Sequence, residues 1–124
     1  MTTALIIEDT PDNMKLITFI LNKNGIDTIE AETGKKGVEL ALAKPRPDFI
    51  ILDIQLPDID GDEVLRIIRH SEANGSIPII AMTSYAMSGD RARLLAAGCN
   101  GYIEKPIDPM IVMAQIREIL EKKE

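Results

Sequence analysis

The sequence predicts an α/β domain, a parallel five-stranded sheet with helices on both faces. Three observations carry this. Short apolar runs begin near residues 4, 26, 49, 77 and 100, and a segment with helical spacing follows each one. Such regular strand–helix alternation gives parallel strands, because each crossover helix returns the chain to the same sheet edge. The central run, Phe49-Ile50-Ile51-Leu52, contains no polar position, the pattern of a strand covered on both faces. The chain has 124 residues, the size of one domain, and no linker, repeat or low-complexity segment divides it.

The elements follow in order. Ala4-Leu5-Ile6-Ile7 is strand one and runs into Glu8-Asp9. Thr10-Pro11-Asp12-Asn13 starts helix one: Thr10 suits the cap, Pro11 the first helical position and Asp12 the positive end of the dipole. Met14, Ile17, Ile20 and Leu21 form its inner face, and Asn24-Gly25 stops it. Ile26 to Ala31 alternates apolar and polar residues, a less buried strand two. Thr33-Gly34 opens helix two, whose inner face is Gly37, Val38 and Ala41, with Gly37 allowing close approach to the sheet. Lys44-Pro45-Arg46-Pro47 is a loop, since neither proline fits a helix interior.

Strand three ends at Asp53, and Asp58 to Gly61 is a turn. Helix three, from about Asp62 to His70, turns Val64, Leu65 and Ile68 inward. A polar loop, Ala73 to Ser76, leads to strand four, Ile77 to Met82, with Thr83-Ser84 at its carboxyl end. Ser88-Gly89-Asp90 opens helix four and Gly98 closes it. Asn100 to Glu104 is a short strand five before Lys105-Pro106. Helix five begins near Asp108-Pro109, carries Ile111, Met113, Ile116, Ile119 and Leu120, and ends in the solvated run Glu121 to Glu124.

The net charge of −6 supplies no basic stripe to neutralise phosphates, which argues against nucleic-acid binding by this chain. A single cysteine, Cys99, excludes an internal disulfide and points to a reducing compartment. The amino-terminal apolar run is too short for a signal peptide or a membrane span. These features together predict a cytoplasmic acidic domain.

Ligands of open α/β sheets bind outside the carboxyl ends of the strands. That edge here receives Glu8 and Asp9 from strand one, Asp53 from strand three, Thr83 and Ser84 from strand four, and Lys105 from strand five. Three carboxylates brought together repel one another, and a divalent cation removes the conflict; Mg²⁺ takes such oxygen ligands together with phosphate oxygens and water. A lysine and a hydroxyl beside that cation are equipment for a phosphoryl group, with Asp53 as the carboxylate that accepts it.

Four motifs lie at strand ends in order: Ile7-Glu8-Asp9; Leu52-Asp53-Ile54-Gln55-Leu56-Pro57-Asp58-Ile59-Asp60-Gly61; Ala81-Met82-Thr83; and Tyr102-Ile103-Glu104-Lys105-Pro106. On these the chain resembles the receiver domain of two-component response regulators, from Leu5 to Leu120. Asn13-Met14-Lys15 and Ile54 to Pro57 are also similar to single-domain regulators of the cell-cycle type and to the receivers of hybrid kinases. The resemblance implies a flavodoxin-like (βα)5 three-layer sandwich with strand order 2-1-3-4-5, an order shared by the receiver protein that serves as a standard example of this fold.

The resemblance further implies that Asp53 accepts phosphate from a phosphohistidine on a sensor histidine kinase or a histidine phosphotransfer protein. Mg²⁺ is expected on Asp9, Asp53 and the backbone carbonyl of Gln55, with Glu8 acting through water. Lys105 pairs with the phosphoryl oxygens, Thr83 hydrogen-bonds one of them, and the Ser84 backbone N–H assists. Ser84 departs from the commoner alanine and adds a hydroxyl near the site. Tyr102 is the switch aromatic, turning inward as Thr83 is drawn toward the phosphate, and the face of helix four, strand five and helix five carries the change to a downstream protein. A cis Lys105-Pro106 bond is expected.

On this reading residues 1–124 form one receiver domain with no output domain, and the protein is not an enzyme beyond its own phosphorylation and slow dephosphorylation. Other readings are a phosphorylation-independent docking module and a receiver cut from a longer regulator or hybrid kinase. An aspartate-nucleophile phosphatase needs a second carboxylate two residues after the nucleophile, where Gln55 stands. A flavin carrier is poorly supplied with aromatics, having no Trp and only Tyr85 and Tyr102 as tyrosines. Tyr85 lies near the expected site mouth. His70, near a helix end, and the methionines at 82, 110 and 113 read as structural.

Overall fold

A computed structural model of the chain describes residues 2–71, 76–84 and 88–121, with residues 88–91 described by backbone alone. Tyr85, the loop positions 73–75 and the tail positions 122–124 lie outside the described residues. The elements are β1 (Thr3–Ile7), α1 (Pro11–Lys23), β2 (Asp27–Ala31), α2 (Gly34–Leu42), β3 (Phe49–Asp53), α3 (Gly61–His70), β4 (Ile79–Thr83), α4 (Ser88–Ala97), β5 (Gly101–Glu104) and α5 (Val112–Glu121). All strand pairs are parallel and the order is β2-β1-β3-β4-β5, as the resemblance implied.

Successive side chains of a strand point to opposite faces, and the core divides accordingly. Ala4, Ile6, Phe49, Ile51, Ile80 and Met82 pack under Met14, Ile17 and Leu21 of α1 and Val112 and Ile116 of α5. Leu5, Ile7, Ile50, Leu52, Ile79 and Ala81 pack under Ala41 of α2, Val64, Leu65 and Ile68 of α3, and Leu94 of α4. Every residue of β3 is buried, which is why its sequence is apolar without alternation. Each such side chain contributes roughly 1.5–3 kcal/mol through burial. The strand that delivers Asp53 is therefore among the best anchored parts of the sheet. β2, at one edge, is half exposed over most of its length.

Gly37 sits directly over β1: a Cβ there would lie 2.5 Å from Ile7 Cδ1. Thr33 caps α2, its hydroxyl accepting from the Lys36 N–H at 3.1 Å. Thr10 precedes α1 with no side-chain capping bond; its own N–H donates to Glu8 Oε2 at 3.0 Å. The cap position is thus used to orient a carboxylate.

Two element starts differ from expectation by two residues or more. β4 begins at Ile79, because Pro78 has no N–H for the ladder; the Ile79 N–H instead donates to Asn100 Oδ1 at 2.8 Å. α5 begins at Val112, because the Asp108 side chain accepts from the Met110 N–H at 2.9 Å and closes a turn ahead of the helix. That turn lies at the surface: Met110, read as packing, is 89% exposed, and Ile111 is 48% exposed. Met113, Ile119 and Leu120 are partly buried against the core as expected, and Met82 is fully buried. His70 is exposed at the end of α3.

Candidate functional site

The parallel sheet brings the carboxyl ends of β1, β3 and β4 and the residue after β5 to one edge. Glu8 follows β1 and is buried; Asp53 ends β3 and is buried; Thr83 ends β4 and is buried. Asp9 and Ser84 are exposed beside them. Carboxylate oxygens of Glu8, Asp9 and Asp53 lie within 4.8 Å of one another. Lys105 reaches in from the end of β5, its Nζ 3.1 Å from Asp53 Oδ1 and 3.3 Å from Glu8 Oε1. The Lys105 N–H donates to the Thr83 carbonyl at 2.8 Å, so the backbone itself holds the cation-bearing and hydroxyl-bearing residues side by side.

The same Asp53 Oδ1 also accepts from the Gln55 N–H at 2.9 Å. The segment carrying Gln55 is closed by two backbone bonds: the Ile54 N–H donates to the Met82 carbonyl at 3.0 Å, and the Gly61 N–H to the Ile54 carbonyl at 3.0 Å. Gly61 is needed for this closure, because a Cβ there would fall 2.4 Å from Ile54 Cα. Tyr102 is half-buried on β5, paired in register with Ala81 and packed against the α2–α3–α4 side of the core. The Lys105-Pro106 bond is cis, as is Lys44-Pro45.

Burial is the largest influence on Asp53 and pushes its carboxyl from 3.8 up to about 6. The Gln55 N–H opposes that rise, the neighbouring Glu8 adds to it, and Lys105 opposes it. Negative charge at this edge is therefore under-compensated. Glu8 Oε1 is buried and makes no hydrogen bond, its contact with Lys105 being an ion pair without hydrogen-bond geometry. An orphaned carboxylate oxygen, with two further carboxylates inside 4.8 Å, is an all-oxygen donor set that could hold Mg²⁺.

The response regulator receiver domain profile matches residues 4–117. The chain belongs to the response regulator receiver domain family. It is a receiver domain of the two-component type. The polar-differentiation response regulator DivK of Brucella anthropi is 40% identical over 105 residues, covering 85% of either chain. The receiver domain of the sensor histidine kinase PA1611 from Pseudomonas aeruginosa PAO1, solved with a magnesium ion coordinated in its active site cleft, is 32% identical with a TM-score of 0.86 and covers 98% of this chain and 98% of its own. The chemotaxis response regulator CheY4 of Vibrio cholerae, 23% identical, shares the fold with a TM-score of 0.90 over 96% of this chain and 98% of its own. The receiver fold and the likeness to DivK-like single-domain regulators are thus as expected, and the chain is also similar to the receiver of a sensor histidine kinase. No helix among the described residues is long and apolar enough to cross a membrane.

All the residues singled out along the receiver's strand ends meet at this edge, except that Tyr102 lies on β5 two residues before Glu104, the register partner of Thr83, and Tyr85 is outside the described residues. Three others had no signal in the sequence. Asp58, read as part of a turn, sends its carboxylate to the N-terminus of α2, accepting from the Gly34 N–H at 2.8 Å and the Lys35 N–H at 3.0 Å. Those two bonds, Lys35 first, hold its carboxyl below the ordinary value. Arg69 of α3 donates to the Gly98 carbonyl at 2.9 Å and to Asn100 Oδ1 at 2.8 Å, bracing the end of α4. Arg93 of α4 pairs with Asp62 of α3. Their partners lie 23 or more residues away, beyond any local pattern.

Proposed function

We propose that this receiver is a switch driven by phosphorylation of Asp53. A phosphohistidine on a sensor histidine kinase or a histidine phosphotransfer protein supplies the phosphoryl group. A phosphorus–oxygen bond to the Asp53 carboxylate forms as the phosphorus–nitrogen bond breaks, and the imidazole nitrogen keeps the electron pair. The observation that carries this reading is the setting of Lys105 Nζ between two buried carboxylates, 3.1 Å from Asp53 and 3.3 Å from Glu8, with Asp9 completing an acidic set. A buried carboxylate on a stiff strand, with a lysine cation beside it, suits an acceptor better than a structural acid.

Asp9, Asp53 and the Gln55 carbonyl would hold Mg²⁺, with Glu8 assisting from beside them. Bound Mg²⁺ neutralises the charge that develops on the transferring group. Lys105 exchanges its contact with Asp53 for one with the phosphoryl oxygens. The Thr83 hydroxyl donates to another oxygen, and the Ser84 backbone N–H assists. The protein works on its own aspartate alone and releases the phosphate slowly, so it is not an enzyme toward outside substrates.

Output runs through Thr83 and Tyr102. Thr83 moves toward the phosphate and Tyr102 turns further inward, which reshapes the face formed by α4, β5 and α5. Phosphorylation shifts this equilibrium only through its different contacts in the two states. A cavity of about 390 Å³ on this face, lined by Leu95, Tyr102, Glu104, Glu118 and Ile119 among others, offers a downstream protein a place to bind. The test is incubation with a small-molecule phosphodonor and Mg²⁺, followed by intact mass. The wild type gains one phosphoryl group and Asp53→Asn gains none; equal gain by the variant contradicts the assignment.

A further inference from the structure

The proposed metal set takes one ligand, the Gln55 carbonyl, from a segment without regular structure, residues 54–60 between β3 and α3. A ligand on such a segment binds well only if the segment is ordered beforehand, since ordering at the moment of binding is subtracted from affinity. The base of the segment is fixed by Gly61 to Ile54 and by Ile54 to Met82, both at 3.0 Å. Its tip is held by Asp58. The two Asp58 oxygens accept separate N–H groups of α2, Gly34 to Oδ1 at 2.8 Å and Lys35 to Oδ2 at 3.0 Å, across 24 and 23 residues of sequence. A bidentate carboxylate fixes orientation as well as distance, because both bonds must be satisfied together.

We infer that Asp58 is a positioning residue for Mg²⁺ binding: it clamps the Gln55-bearing segment to the N-terminus of α2 and so presents the Gln55 carbonyl as a preformed ligand. This rests on the reading of Gln55 as a metal ligand. Asp58 touches no reacting atom itself. Its exposed position makes the clamp separable from the core, and Thr33 supplies the matching control. Thr33 also caps α2, through the Lys36 N–H, but makes that bond within the helix start and holds no part of segment 54–60.

The experiment is calorimetric titration of the whole chain with Mg²⁺ alone, for wild type, Asp58→Ala and Thr33→Ala, with thermal melts in EDTA alongside. Loss of groups that orient metal ligands commonly weakens metal affinity by roughly 10–100-fold. The expectation for Asp58→Ala is a loss near the lower end, roughly tenfold. Thr33→Ala keeps wild-type affinity while its melting midpoint falls, which separates the clamp from capping. Wild-type Mg²⁺ affinity in Asp58→Ala, or an equal loss in Thr33→Ala, overturns the inference while leaving the acceptor site standing. A wild type that binds no Mg²⁺ is a different result: it refutes the metal set and the inference with it.

Discussion

Replacing Asp53 by Asn removes one charge from the floor of the acidic edge and leaves its shape nearly unchanged. Without metal, burial holds the Asp53 carboxyl at about 6 against 3.8 for a free aspartate. A raised acid binds its proton more tightly in the folded state. Its contribution to stability is therefore complete below 3.8 and is lost as pH rises through about 6. The gap of about two pKa units corresponds to about 3 kcal/mol. Asn at this position does not titrate, so Asp53→Asn should match the wild type at about pH 4 and exceed it by about 3 kcal/mol at about pH 8. Urea unfolding followed by far-ultraviolet circular dichroism, in EDTA, measures both curves. Carboxylates remote from Asp53 titrate alike in both proteins and cancel in the difference. Adding Mg²⁺ should close the gap at neutral pH, because the cation binds the ionised wild type. Parallel stability curves across the pH range would show that Asp53 is not desolvated, and the account of the site would fail with it.

Other expectations follow from the same contacts. Lys105→Met leaves Glu8 and Asp53 buried without their cation and should lower stability in EDTA by about 3 kcal/mol, with Mg²⁺ restoring more stability than it adds to the wild type, as thermal melts can compare. Gly61→Ala places a Cβ 2.4 Å from Ile54 Cα, a backbone atom that cannot step aside; a loss of about 1–3 kcal/mol in urea unfolding is expected, with weaker Mg²⁺ binding. Arg69→Ala removes donors from the Gly98 carbonyl and Asn100 Oδ1 and should cost about 1–2 kcal/mol, while hydrogen exchange rises in α4 more than in β3.

The central strands β1, β3 and β4 were legible because they are buried on both faces. Phe49 to Leu52 and Ala4 to Ile7 leave no other reading for runs of that length, and the acids and the lysine after them inherit their place from the strands. What stayed hidden was decided by single backbone groups or by distant partners. The missing N–H of Pro78 moved the start of β4 to Ile79, and the Asp108 side chain delayed α5 until Val112, which turned Ile111 out to solvent. Periodicity cannot see either effect, since it assumes that the element has already begun. Asp58 looked like an ordinary turn residue because the N–H groups it accepts belong to α2, 24 and 23 residues earlier. The convergence of Glu8, Asp53 and Lys105 followed from a parallel sheet, but the orphaned Glu8 Oε1 emerged only from the packed geometry.

The central claim is that Asp53 carries the phosphoryl group. An aspartyl phosphate is an acyl phosphate, which borohydride reduces to homoserine at the residue that held it. The most direct measurement treats the chain with a small phosphodonor and Mg²⁺, reduces it with borohydride, and sequences the peptides by mass spectrometry. The account predicts homoserine at position 53, and none when EDTA replaces Mg²⁺. Homoserine at position 9 with an intact Asp53, or a phosphorylated chain with no homoserine at all, would contradict it.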